Sequence, residues 1–117
     1  MHFLLSNTIT GMKIDIHRRK FVLANKTGGM SGPAIKPVAV RMVYQVSHAC
    51  KLPIIGMGGI LTGEDAIEMM MAGATMVSVG TANFHNPRAT MEVLDGMKAY
   101  MERYHIEDIN EIIGCID

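Results

Sequence analysis

Apolar and polar positions change period several times along this chain, and each change marks an element. His2 to Asn7 (HFLLSN) is a short apolar run closed by Asn-Thr, as a buried strand would be. On either side of the basic turn His17 to Lys20, MKIDIH and RKFVLAN alternate apolar with polar residues, the period of a hairpin with one wet face. Lys26 to Gly32 (KTGGMSG) reads as a flexible loop. The period then lengthens: Val38, Met42, Val43, Val46 and Ala49 recur at helical spacing, which predicts a helix over Pro33 to Ala49. Pro33 suits its first position, and Pro37 falls in the first turn, where its missing N–H is not needed. LPIIGM predicts the next strand. Thr62, with Asp65 three residues on, predicts a capped helix whose stripe is Ala66, Ile67, Met70 and Met71 and which Gly73 ends. TMVSV is another strand. Pro87 opens a last long helix with Met91, Leu94, Met97 or Lys98, Met101 and Tyr104 on one face, followed by amphipathic turns around Ile106, Ile109, Ile112 and Ile113.

Strands alternating with helices imply βαβ units and a parallel sheet, so the fold class is α/β. A closed (β/α)8 barrel needs about 250 residues, and this chain has 117. It therefore reads as a single domain, either a small open α/β sheet or a piece of a barrel, with two strand edges that would need covering. An apolar content of 49% supports a packed core over disorder. The 12 methionines, at helical spacing, read as core filler.

Charge narrows the functional classes. Eleven basic and 11 acidic residues balance, so no overall field recruits nucleic acid or an anionic membrane, and the His17 to Lys20 cluster reads as a solvated hairpin tip. Cys50 and Cys115 stand far apart without metal-ligand spacing, and the five histidines form no close pair, so neither a disulfide nor a metal site is expected. The apolar stretch Met69 to Val79 falls short of the roughly 20 residues that a membrane helix needs, and no leader-like segment precedes it. A soluble, cytoplasmic protein is expected.

The candidate chemistry lies where two strands stop. PIIGMGGI runs from aliphatics into Gly56, Gly58 and Gly59, and MVSVGTA runs into Gly80 and Thr81. A phosphate group needs several main-chain N–H donors aimed at it, and glycine lets the backbone come close. Helix starts add partial positive charge at the same place. Either cluster alone would serve a tight turn. Together, one helix apart in a parallel sheet, they fall on one edge, like the phosphate site after the last two strands of a barrel. GMGG fits neither GxGxxG nor GxxxxGK[ST], which argues against dinucleotide and triphosphate loops.

NKTGGMSGPAIKPVAVRMVYQV, PIIGMGGI, AGATMVSVGTANF and the leading SNTITGMKIDI together resemble the C-terminal part of dihydroorotate dehydrogenase, most closely its NAD-linked heteromeric class. The resemblance covers nearly all of the chain from about Leu4, and the conjunction of GGxSGPAI, GMGGI and VGTANF is specific. It implies the C-terminal part of a TIM (β/α)8 barrel, about three βα units plus a β-hairpin, spanning residues 1–117 as one partial domain. It implies FMN-dependent oxidation of dihydroorotate to orotate in pyrimidine synthesis. By motif, Gly32, Gly58, Gly59, Gly80 and Thr81 would contact FMN, mainly around its phosphate; Ser6 would border the flavin, and Asn7 and Thr8 would hydrogen-bond the pyrimidine. Without the resemblance, Asn7-Thr8 reads as a strand-ending turn.

The family's catalytic cysteine and flavin-side lysine come from earlier strands, and neither Cys50 nor Cys115 fits that place, so no catalytic residue is assigned. Met1-His2 stands where the family has residues leading into the first strand, as if the frame opened inside a longer gene. The expectation is a fragment that keeps phosphate-binding parts without completing the reaction. In the heteromeric class, a homodimer passes electrons to NAD through a partner subunit carrying FAD and a 2Fe-2S cluster, for which this chain has no cysteine set. The competing readings are a flavin barrel like the pyrimidine-reducing domain of dihydropyrimidine dehydrogenase, a non-redox barrel lyase or isomerase that holds a substrate phosphate, and an inactive remnant.

Overall fold

The computed structural model describes residues 3–5 and 9–116. Three strands form a parallel sheet in the order β1 (Phe3–Leu5), β6 (Ile54–Met57), β7 (Met76–Ser78). Its register pairs Leu4 with Ile55 and Ile55 with Met76, so β6 is the central strand. Between β1 and β6 the chain makes an antiparallel ribbon and then a helix. In the ribbon, β2 (Ile9–Met12) pairs with β5 (Thr27–Met30), and farther out β3 (Ile14–Asp15) pairs with β4 (Lys20–Phe21). The exposed basic turn lies at the tip of this ribbon, where the Asp15 carboxylate accepts from the amides of His17 and Arg18.

The expected loop at Lys26–Gly32 is therefore corrected: Thr27–Met30 is strand β5. Glycines have low strand propensity, but here they lie opposite Thr10 and Gly11, and a Cβ at Gly28 would come within 2.6 Å of Leu23. Cross-strand room decided this stretch over local preference.

A short 3-10 turn (Pro33–Ile35) leads into α1 (Lys36–Ala49), close to the expected bounds. The helix buries Ala39 and Val43, whereas Val38 and Ala49 are exposed, so the stripe lies one position round from the expected one. α2 (Gly63–Ala72) has the expected cap at Thr62 and ends at Gly73. Its carbonyls do not end bare: Ser47 Oγ of α1 donates to Ala72 O at 3.0 Å, and the Gly73 and Gly114 amides reach Met70 O. A short helix α3 (Ala82–His85), absent from the sequence reading, precedes α4 (Ala89–Arg103).

The core lies between the sheet and the helices. Val43, Ile54 and Met69 are its largest fully buried side chains, joined by Ala39, Ala66, Ala72, Ala74 and Val93. Small residues mark the points where the elements approach closely. A Cβ on Gly63 would lie 2.4–2.5 Å from the backbone of Gly96, so α2 and α4 touch main chain to main chain. That contact turns Ala89 and Val93 inward and leaves Met91, Leu94 and Tyr104 exposed, which corrects the stripe expected for α4. The methionines are corrected likewise. Met69 and Met70 are core filler, while Met12, Met30, Met76 and Met91 stand in solvent.

The Gly63–Gly96 contact predicts a mutational sign opposite to helix propensity. Propensity alone would stabilise Gly63→Ala by about 1 kcal/mol. The added methyl meets backbone rather than a movable side chain, and such overpacking costs about 1–3 kcal/mol. Thermal or urea unfolding should show Gly63→Ala to be net destabilised.

Candidate functional site

The ends of β6 and β7 open on a cavity of about 280 Å³. Three segments wall it: Met30 to Ile35, Met57 to Leu61, and Ser78 to Ala82. Gly32, Gly58, Gly59, Gly80 and Thr81 all line it, so the structure brings together residues that lie far apart in the sequence. The volume is slightly below the range of about 300–1,000 Å³ typical of small-molecule sites, and the lining is mainly apolar and main-chain. Ser6, Asn7 and Thr8 lie outside the described residues.

Each wall is shaped by its own local chemistry. Gly59 has φ of +73°, a left-handed conformation in which a side chain is strained. It is also pressed against the start of α1: a Cβ there would lie 2.7 Å from Lys36 Cβ and 2.9 Å from Gly32 O. Gly80 differs. A Cβ on it would meet nothing within 4 Å, so the room in front of it belongs to the cavity. The same holds for Gly32, whose φ of +96° also turns the chain into the 3-10 segment. The third wall is pinned by Asn83, whose side-chain amide donates to Val79 O at 2.8 Å while its oxygen accepts from Thr90 Oγ1 at 3.1 Å.

The distribution of amide donors differs from the sequence expectation at one point. The two amides that lead into α2 are not free for the cavity, because Asp65 uses them. One carboxylate oxygen accepts from Leu61 N at 3.0 Å and Thr62 N at 3.1 Å, and the Asp65 amide donates to Thr62 Oγ1 at 3.2 Å. This is a capping box, which satisfies helix-end amides internally. The amides of Gly59, Thr81 and Ala82 have no acceptor among the described residues. They are the donors available to a ligand, together with the hydroxyls of Thr81, Ser31 and Ser78.

Ser31, Ser78 and Asn83 were not singled out from the sequence. A serine two residues before Gly80 in a strand that stops at a glycine loop was a usable signal for Ser78. The hydrogen bonds of Asn83 to Val79 and Thr90 depend on the fold and left no local signal.

The other oxygen of Asp65 accepts from Lys36 Nζ at 2.6 Å, and Lys36 also reaches Glu68 at 2.9 Å. Hydrogen bonds to Asp65 and then Glu68 raise the Lys36 pKa above its ordinary value. Burial alone would raise the Asp65 carboxyl, but the hydrogen bonds from Lys36 and from the Leu61 and Thr62 amides hold it below its ordinary value. Among the described residues, no Lys or Arg lines the cavity itself. An anion there would be held by main-chain dipoles, with the Lys36 ammonium keeping the Asp65 charge balanced behind the wall.

Two outcomes follow. Asp65 has its lower pKa in the folded state, so its stabilisation is full above the unfolded carboxylate value of about 3.9 and is lost as pH falls through the folded value. Lys36 has its higher pKa when folded, so its contribution is full below about 10.4 and is lost as pH rises through the folded value. Denaturation measured from acid to alkaline pH should show both losses, and Asp65→Asn should flatten the acid-side one. The two glycines should also separate. Gly59→Ala should cost about 2–4 kcal/mol from strain plus overlap, whereas Gly80→Ala should leave stability within about 0.5 kcal/mol.

Comparison with known proteins bears on the family of the chain. Residues 2–101 match the profile of the family described as dihydroorotate dehydrogenase. The catalytic subunit of dihydroorotate dehydrogenase B (NAD(+)) from Lachnoclostridium phytofermentans is 67% identical over 112 residues, covering 96% of this chain and 37% of that protein. The corresponding subunit from Alkaliphilus oremlandii is 72% identical over 110 residues, covering 94% of this chain and 36% of that protein. This chain thus spans a little over a third of the length of these relatives. Among solved structures, DHODH from Eimeria tenella in complex with ferulenol superposes with a TM-score of 0.77 at 27% identity, over 96% of this chain and 30% of that one. No helix among the described residues is long and apolar enough to cross a membrane. Its match over residues 2–101, with the identity to these catalytic subunits, places the chain in the dihydroorotate dehydrogenase family.

Proposed function

We propose that this chain is the FMN-phosphate-binding part of an NAD-linked dihydroorotate dehydrogenase, folded as one partial TIM-barrel domain over residues 1–117. The observation that carries the reading is the convergence of Gly32, Gly58, Gly59, Gly80 and Thr81, from three separate segments, on one cavity. Space in front of Gly32 and Gly80 that a methyl would enter, and amides at Gly59, Thr81 and Ala82 with no acceptor among the described residues, suit a phosphate oxyanion. The cavity is roomier than a phosphate alone needs, which leaves space for part of the ribityl chain. The three-stranded parallel sheet is, on this reading, an arc of the (β/α)8 barrel, and the cavity lies at the carboxyl ends of its strands, where barrel sites are built.

Ser6 would border the flavin, and Asn7 and Thr8 would hydrogen-bond the carbonyl and N–H groups of dihydroorotate or orotate. A site of that kind rejects analogues that leave its polar groups unpaired. FMN, when bound, supplies a two-electron acceptor for converting dihydroorotate to orotate. The chain's own residues would hold the phosphate, orient the ring and exclude water. No residue of this chain is assigned as the base, so the chain alone is expected to bind without turnover. The name "catalytic subunit" borne by the relatives supports a further partner subunit, for which FAD and a 2Fe-2S cluster are proposed, beside a homodimer of the catalytic chain in a soluble cytoplasmic enzyme.

The reading is tested by titrating the purified chain with FMN, riboflavin and a sugar phosphate, following flavin fluorescence and competition. FMN should bind at least about tenfold more tightly than riboflavin, a difference of about 1.4 kcal/mol. Gly80→Ala should erase that preference while unfolding at the same temperature as the parent chain. Equal affinity for FMN and riboflavin would remove the phosphate cradle, and binding of the sugar phosphate alone would favour a non-redox barrel.

A further inference from the structure

Two of the three cavity walls meet outside the cavity at a single side-chain junction. Lys36 is the first residue of α1, four positions after Gly32, and its Cβ and amide lie against Gly59. Its ammonium then runs to Asp65 Oδ1 at 2.6 Å, and Asp65 Oδ2 accepts from Leu61 and Thr62, the residues that follow the Gly58–Gly59 turn. Both oxygens of one carboxylate are therefore in use, one for each wall. The Asp65 side chain is 16% exposed and that of Lys36 is 26% exposed, so water competes only in part for the pair. Glu68 adds a second partner to Lys36 but is half-exposed and makes no hydrogen bond to the loop among the described residues.

We propose that Lys36 and Asp65 form a positioning latch that holds the Gly58–Gly59 turn in register with Gly32, and so fixes how the main-chain donors are aimed into the cavity. The effect on ligand rests on the phosphate-binding reading above; the effect on the loop does not. Without the ammonium, the Asp65 carboxylate loses its tie to α1 and holds the Leu61 and Thr62 amides less firmly. The wall can then swing about Gly58 and Gly59, whose φ values of +118° and +73° set the aim of this turn. The uncompensated carboxylates of Asp65 and Glu68 would also face a bound anion from behind the wall.

Lys36→Met separates these roles from packing, since the unbranched stem keeps its contact with Gly59 while the charge is removed. In the ligand-free chain, amide hydrogen exchange at Leu61 and Thr62, whose amides Asp65 holds, should speed at least about tenfold, with Val93 to Met97 of α4 unchanged. Lys36→Arg should restore slow exchange, and Glu68→Gln should leave it as in the parent chain. In the titration, Lys36→Met should weaken FMN at least about tenfold and leave riboflavin unchanged. Unaltered exchange in Lys36→Met would overturn the latch, as would a Glu68→Gln variant that behaves like it. A parent chain that binds no FMN, with exchange responding as described, would overturn the FMN reading and leave the latch standing.

Discussion

Close approach of main chain to neighbouring elements is the constraint on which this structure depends. α2 lies against α4 with Gly63 on the backbone of Gly96, β6 lies flush on Met69 at Gly56, and the turn after β6 rests on the start of α1 at Gly59. Each contact is shorter than a Cβ would permit. The elements pack at these distances where glycines and alanines meet, between larger buried side chains such as Val43, Ile54, Ile60 and Met69. A larger residue at any of these glycines would separate two layers and loosen the alanine contacts around it.

The same closeness organises the electrostatics of the cavity. A helix start next to a glycine loop supplies amides, but their use depends on what else competes for them. Asp65 takes the Leu61 and Thr62 amides for the cap of α2, and Lys36 balances the carboxylate that does so. The lining amides without an acceptor among the described residues belong to the turns after β6 and β7 instead. On the proposed phosphate-binding reading, such a site would recognise an anion by the fixed direction of backbone dipoles, and its selectivity would reside in the position of the walls more than in any charged side chain.

The sheet presents β1 and β7 as its outer strands, and the antiparallel ribbon carries Met12, Ile14, Ile16 and Phe21 exposed. Relatives more than twice as long contain this same segment at high identity. Apolar surface and strand edges of this extent are what a segment shows when its sequence was shaped inside a larger α/β assembly.

The order of the parallel strands and helices was legible because each element announces itself locally. Thr62 and Asp65 cap α2, Gly73 ends it, Pro33 and Pro37 bracket the start of α1, and the glycine loops follow aliphatic runs. The site glycines were legible for the same reason, since a strand that gives up its side chains at its end signals a backbone that something must approach. Strand β5, the rotated stripes of α1 and α4, the short helix α3 and the role of Asn83 were not legible. β5 is glycine-rich and gains its structure from β2 across the ribbon, and the face of α4 turns inward about a glycine pair 33 positions apart in sequence. The sequence alone thus determined which segments become strands and helices of the α/β framework and which glycines border the site, because caps, turns and periodicity act between near neighbours. Only the tertiary structure decided which helix faces are buried and which amides remain for a ligand, because those depend on contacts between residues that the chain keeps far apart.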